Sequence, residues 1–364
     1  MENTLFGNRM PIGDKLEETI KACFEVVNDK GQPLPVMLLG AVGCGKTTTA
    51  IKVAKDVGCD HIHVFNGQVR QPYDIQGTPA HTTDDKLKRT ITTWATPEEW
   101  LKVANAKNPC VIFDECTNYA EEMIDACDRI VNEGVAGDLK LPANLKVILC
   151  GNREQDSNLY REPSAKTMDR VVAIEVIADA ESVRHYFARS GKNPLTTAYI
   201  KTFPKSINEG VNPDKMKIAT PRGFEDISNM EDKVAEGLIS TSILEIMVKG
   251  RVGEEIGNEY ITYRRIASKL PKRSDIYSDP MNAPLPQELD VQYAMSSMLV
   301  YYADMTNIES TVRYANRIGE NGNPEIPTMM ILDLHRKNPD FMGNKYFAEQ
   351  LLTGDHANLA QELI

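Results

Sequence analysis

The octapeptide GAVGCGKT, residues 40–47, constrains this chain more than any other stretch. It fits G-x-x-x-x-G-K-[ST] and stands between a short apolar run, VMLL (36–39), and a helical run, TTTAIKVAKDV (47–57), that Gly58 stops. Strand, glycine-rich turn and helix form the context in which this spacing has physical meaning. Gly40, Gly43 and Gly45 let backbone N–H groups turn inward around phosphate oxygens, and the helix N-terminus adds partial positive charge. Ala41, Val42, Cys44 and Thr48 belong to the same nucleotide-binding turn. Lys46 is expected to reach the β- and γ-phosphates, and Thr47 to hold Mg2+.

A second stretch completes the pattern. CVIFDE (110–115) reads as a buried strand with two carboxylates at its C-terminal tip, where ligands bind in open α/β sheets. Neighbours on a strand point to opposite faces. Asp114 is therefore expected to face the magnesium, and Glu115 the γ-phosphate, as a base that polarises the attacking water. In LPANLKVILCGNREQD (141–156) another buried strand, KVILC, ends at Gly151 and Asn152. In this topology it is expected beside the strands carrying the glycine turn and the acidic pair. The Asn152 amide can then orient the water and touch the γ-phosphate without adding a charge. No NKxD-like guanine motif occurs, which makes ATP the expected nucleotide.

The rest of the first half alternates strand and helix. Leu16, Ile20, Cys23, Phe24 and Val27 mark an amphipathic helix over 15–27, and HIHVF (61–65) a strand. A threonine-rich stretch to about residue 96 reads as irregular. A helix with proline at its first turn covers 97–106, YAEEMIDACDRIV (119–131) another, and VVAIEVI (171–177) the fifth strand. This predicts a three-layer α/β P-loop core with a mostly parallel sheet. From about residue 180 the strand signal gives way to helices. Residues 270–287 hold Pro271, Pro280, Pro284 and Pro286 and are expected to be extended. Beyond them, Val291, Ala294, Met295, Met298, Leu299 and Tyr302 return to helical spacing.

Composition narrows the class. The 364 residues are 41% apolar and 26% charged, an ordinary globular balance that fits two or three domains. No apolar run approaches the ~20 residues of a membrane span, and MENTLFGNRMPIGDKLEE lacks the pattern of a secretory signal, so a cytoplasmic protein is expected. The net charge of −11 argues against a nucleic-acid partner. The seven cysteines, all within the first 150 residues, form no C-x-x-C and suit small buried hydrophobes. His61 and His63 read as strand residues rather than metal ligands. Trp94 and Trp100 could form an exposed pair that grips a substrate; the preferred reading makes both anchors of the sheet edge.

Together these residues resemble an AAA+ ATPase of the MoxR-like, dynein-related group, over about residues 15–265. QPYDIQGTP (71–79) is similar to that group's P-x-D-x-x-G segment, where an insert interrupts helix 2. VNEGVAGDLKLPANLKVILCGNR (131–153) is similar to its β-hairpin before sensor 1, which implies Asn152 as the sensor asparagine. MDRVVAIEV (168–176) resembles the segment carrying its arginine finger, which implies Arg170; Arg161 in NLYREPSAK is the rival. ATPRGFEDIS (219–228) resembles its sensor 2 helix, which implies Arg222. An arginine at a helix start opposes the helix dipole, and a bound phosphate would compensate. The resemblance implies an AAA+ core over 1–178 and an α-helical lid with sensor 2 over 179–269; the sequence itself then predicts a proline-rich connector over 270–287 and a helical region over 288–364.

The resemblance also implies a homo-oligomer, a hexameric ring, because a finger delivered by a neighbour needs a head-to-tail contact that closes cyclically. The expected output is chaperone-like remodelling or assembly of a separate protein partner; the resemblance implies one bearing a von Willebrand factor A domain, since this chain has no DxSxS motif of its own. The helix-2 insert and the hairpin near Gly134 and Gly137 could touch that partner or pack between subunits. The alternatives are a nucleic-acid motor or loader and a nucleotide-gated structural ring. Charge weighs against the first, and the intact Asp114–Glu115 pair against the second.

Overall fold

The computed structural model describes residues 9–29, 31–84, 89–207, 219–267 and 270–352. These fall into two compact units divided between Ala178 and Asp179. Ten strands are described, all in the first unit: β1 (Arg9–Pro11), β2 (Val36–Gly40), β3 (His61–Phe65), β4 (Thr78–Asp84), β5 (Arg89–Ala95), β6 (Pro109–Phe113), β7 (Val135–Ala136), β8 (Leu139–Lys140), β9 (Lys146–Gly151) and β10 (Val172–Ile177).

Six of them form one sheet in the order β1-β10-β2-β9-β6-β3, with every pair parallel. Five are the strands the sequence predicts. The sixth, β1, is three residues long and contains a proline, which an edge position tolerates because one side needs no ladder donor. Its Arg9 lies 3.4 Å from Glu175 across the pair. The important placement is β9. It pairs with β2 on one side and β6 on the other, so Gly151 and Asn152 leave the sheet between the glycine turn and the acidic pair.

Helices cover both faces of the sheet. Met37, Leu39, Val111, Phe113, Val147 and Leu149 pack on one face, against Trp100 and Val103 of the helix Glu98–Asn105 and Met123, Ala126 and Ile130 of the helix Glu121–Glu133. Leu38, Ile112 and Ile148 alternate to the other face. The helix Lys46–Asp56 lies there, with Ala50 and Val53 fully buried. This is a three-layer α/β core around a parallel sheet, as the sequence predicts, followed by a helical region.

Two expectations about the stretch 78–100 change. The threonine-rich stretch is not irregular: β4 and β5 form an antiparallel ribbon from Thr78↔Ala95 to Asp84↔Arg89. Threonine, isoleucine and tryptophan are strand formers, but TPAHTTD offers no apolar face to signal one. None of its residues with described burial is buried. The tryptophans also part company. Trp100 is buried, with Nε1 donating to the Asp74 carbonyl at 2.8 Å, and anchors the sheet edge; Trp94 on β5 is 49% exposed. His61 and His63 sit on β3 as expected, and His63 meets the Trp100 ring edge-on at 5.1 Å.

The second unit is helical throughout its described residues. Its first half centres on Tyr199, whose ring contacts those of Phe203, Phe224, Tyr260 and Tyr263. The stretch 270–287 is not an extended connector. It carries the helix Arg273–Ser278, and Ile276 and Ala283 are buried in one core with Met295, Leu299, Ile308, Tyr314 and Met330. Its prolines bound the helix rather than straighten the chain. Among the described residues no helix is long and apolar enough to cross a membrane.

The two tryptophans are therefore expected to behave differently. Trp100→Phe leaves the Asp74 carbonyl without its donor and should lower unfolding free energy by about 1–3 kcal/mol. Trp94→Phe should stay within about 0.5 kcal/mol of wild type. Urea unfolding followed by circular dichroism checks both. In the Trp100→Phe variant, the remaining fluorescence should be readily quenched by acrylamide.

Candidate functional site

The turn from Gly40 to Lys46 is shaped by what its residues lack. Gly45, at the start of the helix Lys46–Asp56, has φ 100°, a left-handed conformation that a side chain would strain. A Cβ on Gly40 would collide with the Val176 carbonyl oxygen and come within 3.1 Å of Cys44 Sγ. Ala41 and Cys44 are buried, Val42 is half-buried and Thr48 faces solvent. The loop curls around its own lysine. Lys46 Nζ donates to the carbonyls of Gly40 (2.8 Å) and Ala41 (2.9 Å) and to Asn152 Oδ1 (3.2 Å). Three donors meet three oxygens, which is what a nearly buried ammonium requires.

The acidic pair departs from expectation. β6 stops at Phe113, so Asp114 and Glu115 follow the strand and do not alternate on it. Glu115 has φ 60°, the sole positive φ of a non-glycine residue among those described. That conformation costs about 1–2 kcal/mol. It turns the chain into a short 3-10 helix, Cys116–Asn118, and this turn, rather than strand alternation, separates the two carboxylates. Asp114 Oδ1 accepts from Thr47 Oγ1 at 2.6 Å. Glu115 Oε2 accepts from Asn152 Nδ2 at 3.1 Å and from Asn118 Nδ2 at 2.7 Å.

Asn152 is thus the hub: its oxygen takes the ammonium and its nitrogen holds the carboxylate. Its backbone N–H donates to Thr117 Oγ1 at 2.8 Å. Next to it, Arg153 is buried, with Nε donating to Asp156 at 2.5 Å and Nη1 to Glu175 at 3.2 Å. The Tyr119 hydroxyl lies 2.7 Å from the Asp114 carbonyl and 2.8 Å from that of Phe65, locking the strand ends of β6 and β3 together. Burial pushes the Cys116 thiol up to about 12 and those of Cys127 and Cys150 well above the ordinary range. These thiols remain protonated at neutral pH and serve as packing.

The structure brings together Lys46, Thr47, Asp114, Glu115 and Asn152. The arginines stand apart from this group in character. Arg170 follows the helix Ala165–Met168 and is exposed; Arg161 is exposed too, with its backbone N–H donating to the Thr117 carbonyl at 2.7 Å. Arg222 lies on the second unit, exposed in the first turn of the helix Pro221–Ala235. None of the three has an ion pair among the described residues. Sequence reasoning missed what steadies this region. Buried Asp128 accepts from Thr167 (2.5 Å) and Ser164 (3.3 Å), which anchors the segment before Arg170 to the helix Glu121–Glu133. The signal was an acid among mostly apolar positions of an amphipathic helix.

No family model matches the chain. A Lon protease of Lachnoclostridium phytofermentans is 24% identical over 230 residues, which is 58% of this chain and 27% of that protein; the chain spans about a quarter of this relative. The RuvB Holliday junction branch migration motor of Thermotoga maritima aligns over 85% of this chain and 88% of its own at 14% identity, with a TM-score of 0.38. A mutant of the same protein gives 0.35 at 14% identity, over 94% and 88%. At such values the fold rests on this chain's own strand order and glycine turn. Gly40→Ala is expected to disturb that turn and cost about 1–3 kcal/mol in urea unfolding.

Proposed function

We propose that this protein is a ring-forming AAA+ ATPase of the MoxR type that couples ATP hydrolysis to remodelling or assembly of a protein partner. One observation supports the hydrolytic reading above the others: a single amide, Asn152, joins the lysine of the phosphate turn to the carboxylate that would act on water. A turn built only to hold phosphate has no use for that second link.

On this reading ATP lies against the turn Gly40–Thr48. Lys46 exchanges the Gly40 and Ala41 carbonyls for phosphate oxygens. The Thr47 hydroxyl and the Asp114 carboxylate, 2.6 Å apart, are hard oxygen donors that suit Mg2+, and the ion would neutralise phosphate charge there. Glu115 accepts a proton from water as the water oxygen bonds to the γ-phosphorus and the bond to the β-phosphate oxygen breaks, releasing ADP and phosphate. Asn152 holds Glu115 in place and completes the contact with the γ-phosphate side. Arg170, exposed and without a carboxylate partner among the described residues, serves as the finger for a neighbouring subunit's nucleotide. Arg222 serves as sensor 2 on a lid over 179–269. The assembly is a homo-oligomeric ring, a hexamer on the MoxR resemblance, working on a separate polypeptide; a von Willebrand factor A domain is the partner type that the resemblance implies.

The test is ATP turnover measured against protein concentration. Wild-type specific activity is expected to rise with concentration. Glu115→Gln should fall by about 10²–10⁴ and Arg170→Ala by about 10³–10⁵, both with ATP binding retained. Full activity of Arg170→Ala at every concentration would transfer the finger to Arg161. Activity per chain that is flat with concentration, in a protein that sediments as a monomer, would overturn the ring.

A further inference from the structure

We infer that Asn118 is a positioning residue for Glu115, held at its far end by Ser157. The inference rests on the ATPase reading and concerns a residue that neither motif contains. Glu115 Oε2 accepts from two amides, Asn152 Nδ2 at 3.1 Å and Asn118 Nδ2 at 2.7 Å. No described group donates to its other oxygen, Oε1. One carboxylate oxygen is pinned and the other is left to accept a proton.

Which end of each amide faces Glu115 follows from donor counting. An ammonium can only donate, so Lys46 fixes Asn152 with Oδ1 toward itself and Nδ2 toward Glu115. Asn118 is fixed from the Glu115 side. An ionised carboxylate can only accept, so Asn118 turns Nδ2 toward it and Oδ1 away. That Oδ1 takes the Ser157 hydroxyl proton at 2.8 Å, and the Leu159 backbone N–H donates to Ser157 Oγ at 3.2 Å. The polar chain runs Leu159, Ser157, Asn118, Glu115, Asn152, Lys46, and every link has a single allowed direction. Both flanking residues belong to stitched backbone. Asn118 closes the Cys116–Asn118 turn through a bond from its own N–H to the Glu115 carbonyl, and Arg161 N–H donates to the Thr117 carbonyl. The segment 157–161 therefore moves with the turn that sets Glu115, and a shift of Ser157 would reach the carboxylate through one side chain.

The energetic logic is that of a charged acceptor. A left-handed Glu115 could swing its carboxylate away from the nucleotide side; two donors on one oxygen remove that freedom without touching nucleotide. Asn118 should thus affect the chemical step and leave nucleotide binding alone.

The experiment compares wild type, Glu115→Gln, Asn118→Ala, Asn118→Asp, Ser157→Ala and the Asn118→Ala/Ser157→Ala double variant in steady-state ATP turnover, with binding of a fluorescent ATP analogue and urea midpoints measured on the same samples. Asn118→Ala is expected to lower kcat about tenfold or more, with KM, analogue affinity and midpoint close to wild type. Asn118→Asp keeps the shape, replaces the donor with a like charge and should lower kcat further. Ser157→Ala should fall less, and the double variant no further than Asn118→Ala, because Ser157 acts through Asn118. Wild-type kcat in both Asn118 variants, beside an inactive Glu115→Gln, overturns this inference and leaves the ATPase reading intact. Equal losses in analogue affinity and kcat also overturn it, by making Asn118 part of the binding loop. A wild type without turnover, or Glu115→Gln turning over like wild type, overturns the ATPase reading and this inference with it.

Discussion

An asparagine side chain held between an ammonium and a carboxylate does what neither charge could do alone. Placed directly together, Lys46 and Glu115 would neutralise each other and gain little once desolvated. Asn152 keeps them apart, satisfies one donor and one acceptor, and leaves both charges available to a ligand. Everything around it serves that placement. β9 must lie between β2 and β6 for the amide to arrive there, the Thr117 hydroxyl must take the Asn152 N–H, and the buried Arg153 must be tied to Asp156 and Glu175 so that the chain leaves the strand in one direction.

The backbone cost of the site is concentrated at Glu115. Its left-handed conformation brings its carboxylate to Asn118 and Asn152 while Asp114 keeps its own bond with Thr47. Strain of this kind persists only where surrounding contacts over-determine it. Here the Tyr119 hydroxyl, the Thr117 pair with Asn152 and the 3-10 turn supply those contacts. A glycine would relieve the backbone but would remove the carboxylate, so the position must carry the strain.

Much of the fold was legible because burial and punctuation agreed. VMLL, CVIF and KVILC are apolar runs bounded by glycine or charge, and continuous apolar strands belong to parallel sheets covered on both sides. The glycine turn was legible for the same reason, since strand and helix flank it in sequence. The failures have physical causes. The acidic pair invites alternation, but the turn that follows is held by side chains three and thirty-seven residues away, which no local pattern shows. RTITTWA and TPAHTTD pair with each other and bury nothing, so hydrophobic periodicity was silent. Pro271, Pro280, Pro284 and Pro286 argued for an extended chain, yet Ile276 and Ala283 are held in a core built mostly by residues beyond 290. Arg153, Asn118 and Asp128 carry no motif; their roles come from partners that only the folded chain supplies.

The β4–β5 ribbon has a consequence for how this protein yields to heat or denaturant. Seven residue pairs stand with no apolar layer of their own, and a two-stranded ribbon is marginal in water without one. Its amides should exchange with solvent through a local opening far less costly than that of β2, β9 and β6, whose residues are nearly all buried. The first unit therefore has two tiers of cooperativity in one contiguous chain. The tier that opens first carries Trp94 on its surface, while the strand ends that lead to the glycine turn, the acidic pair and Asn152 belong to the tier that opens last.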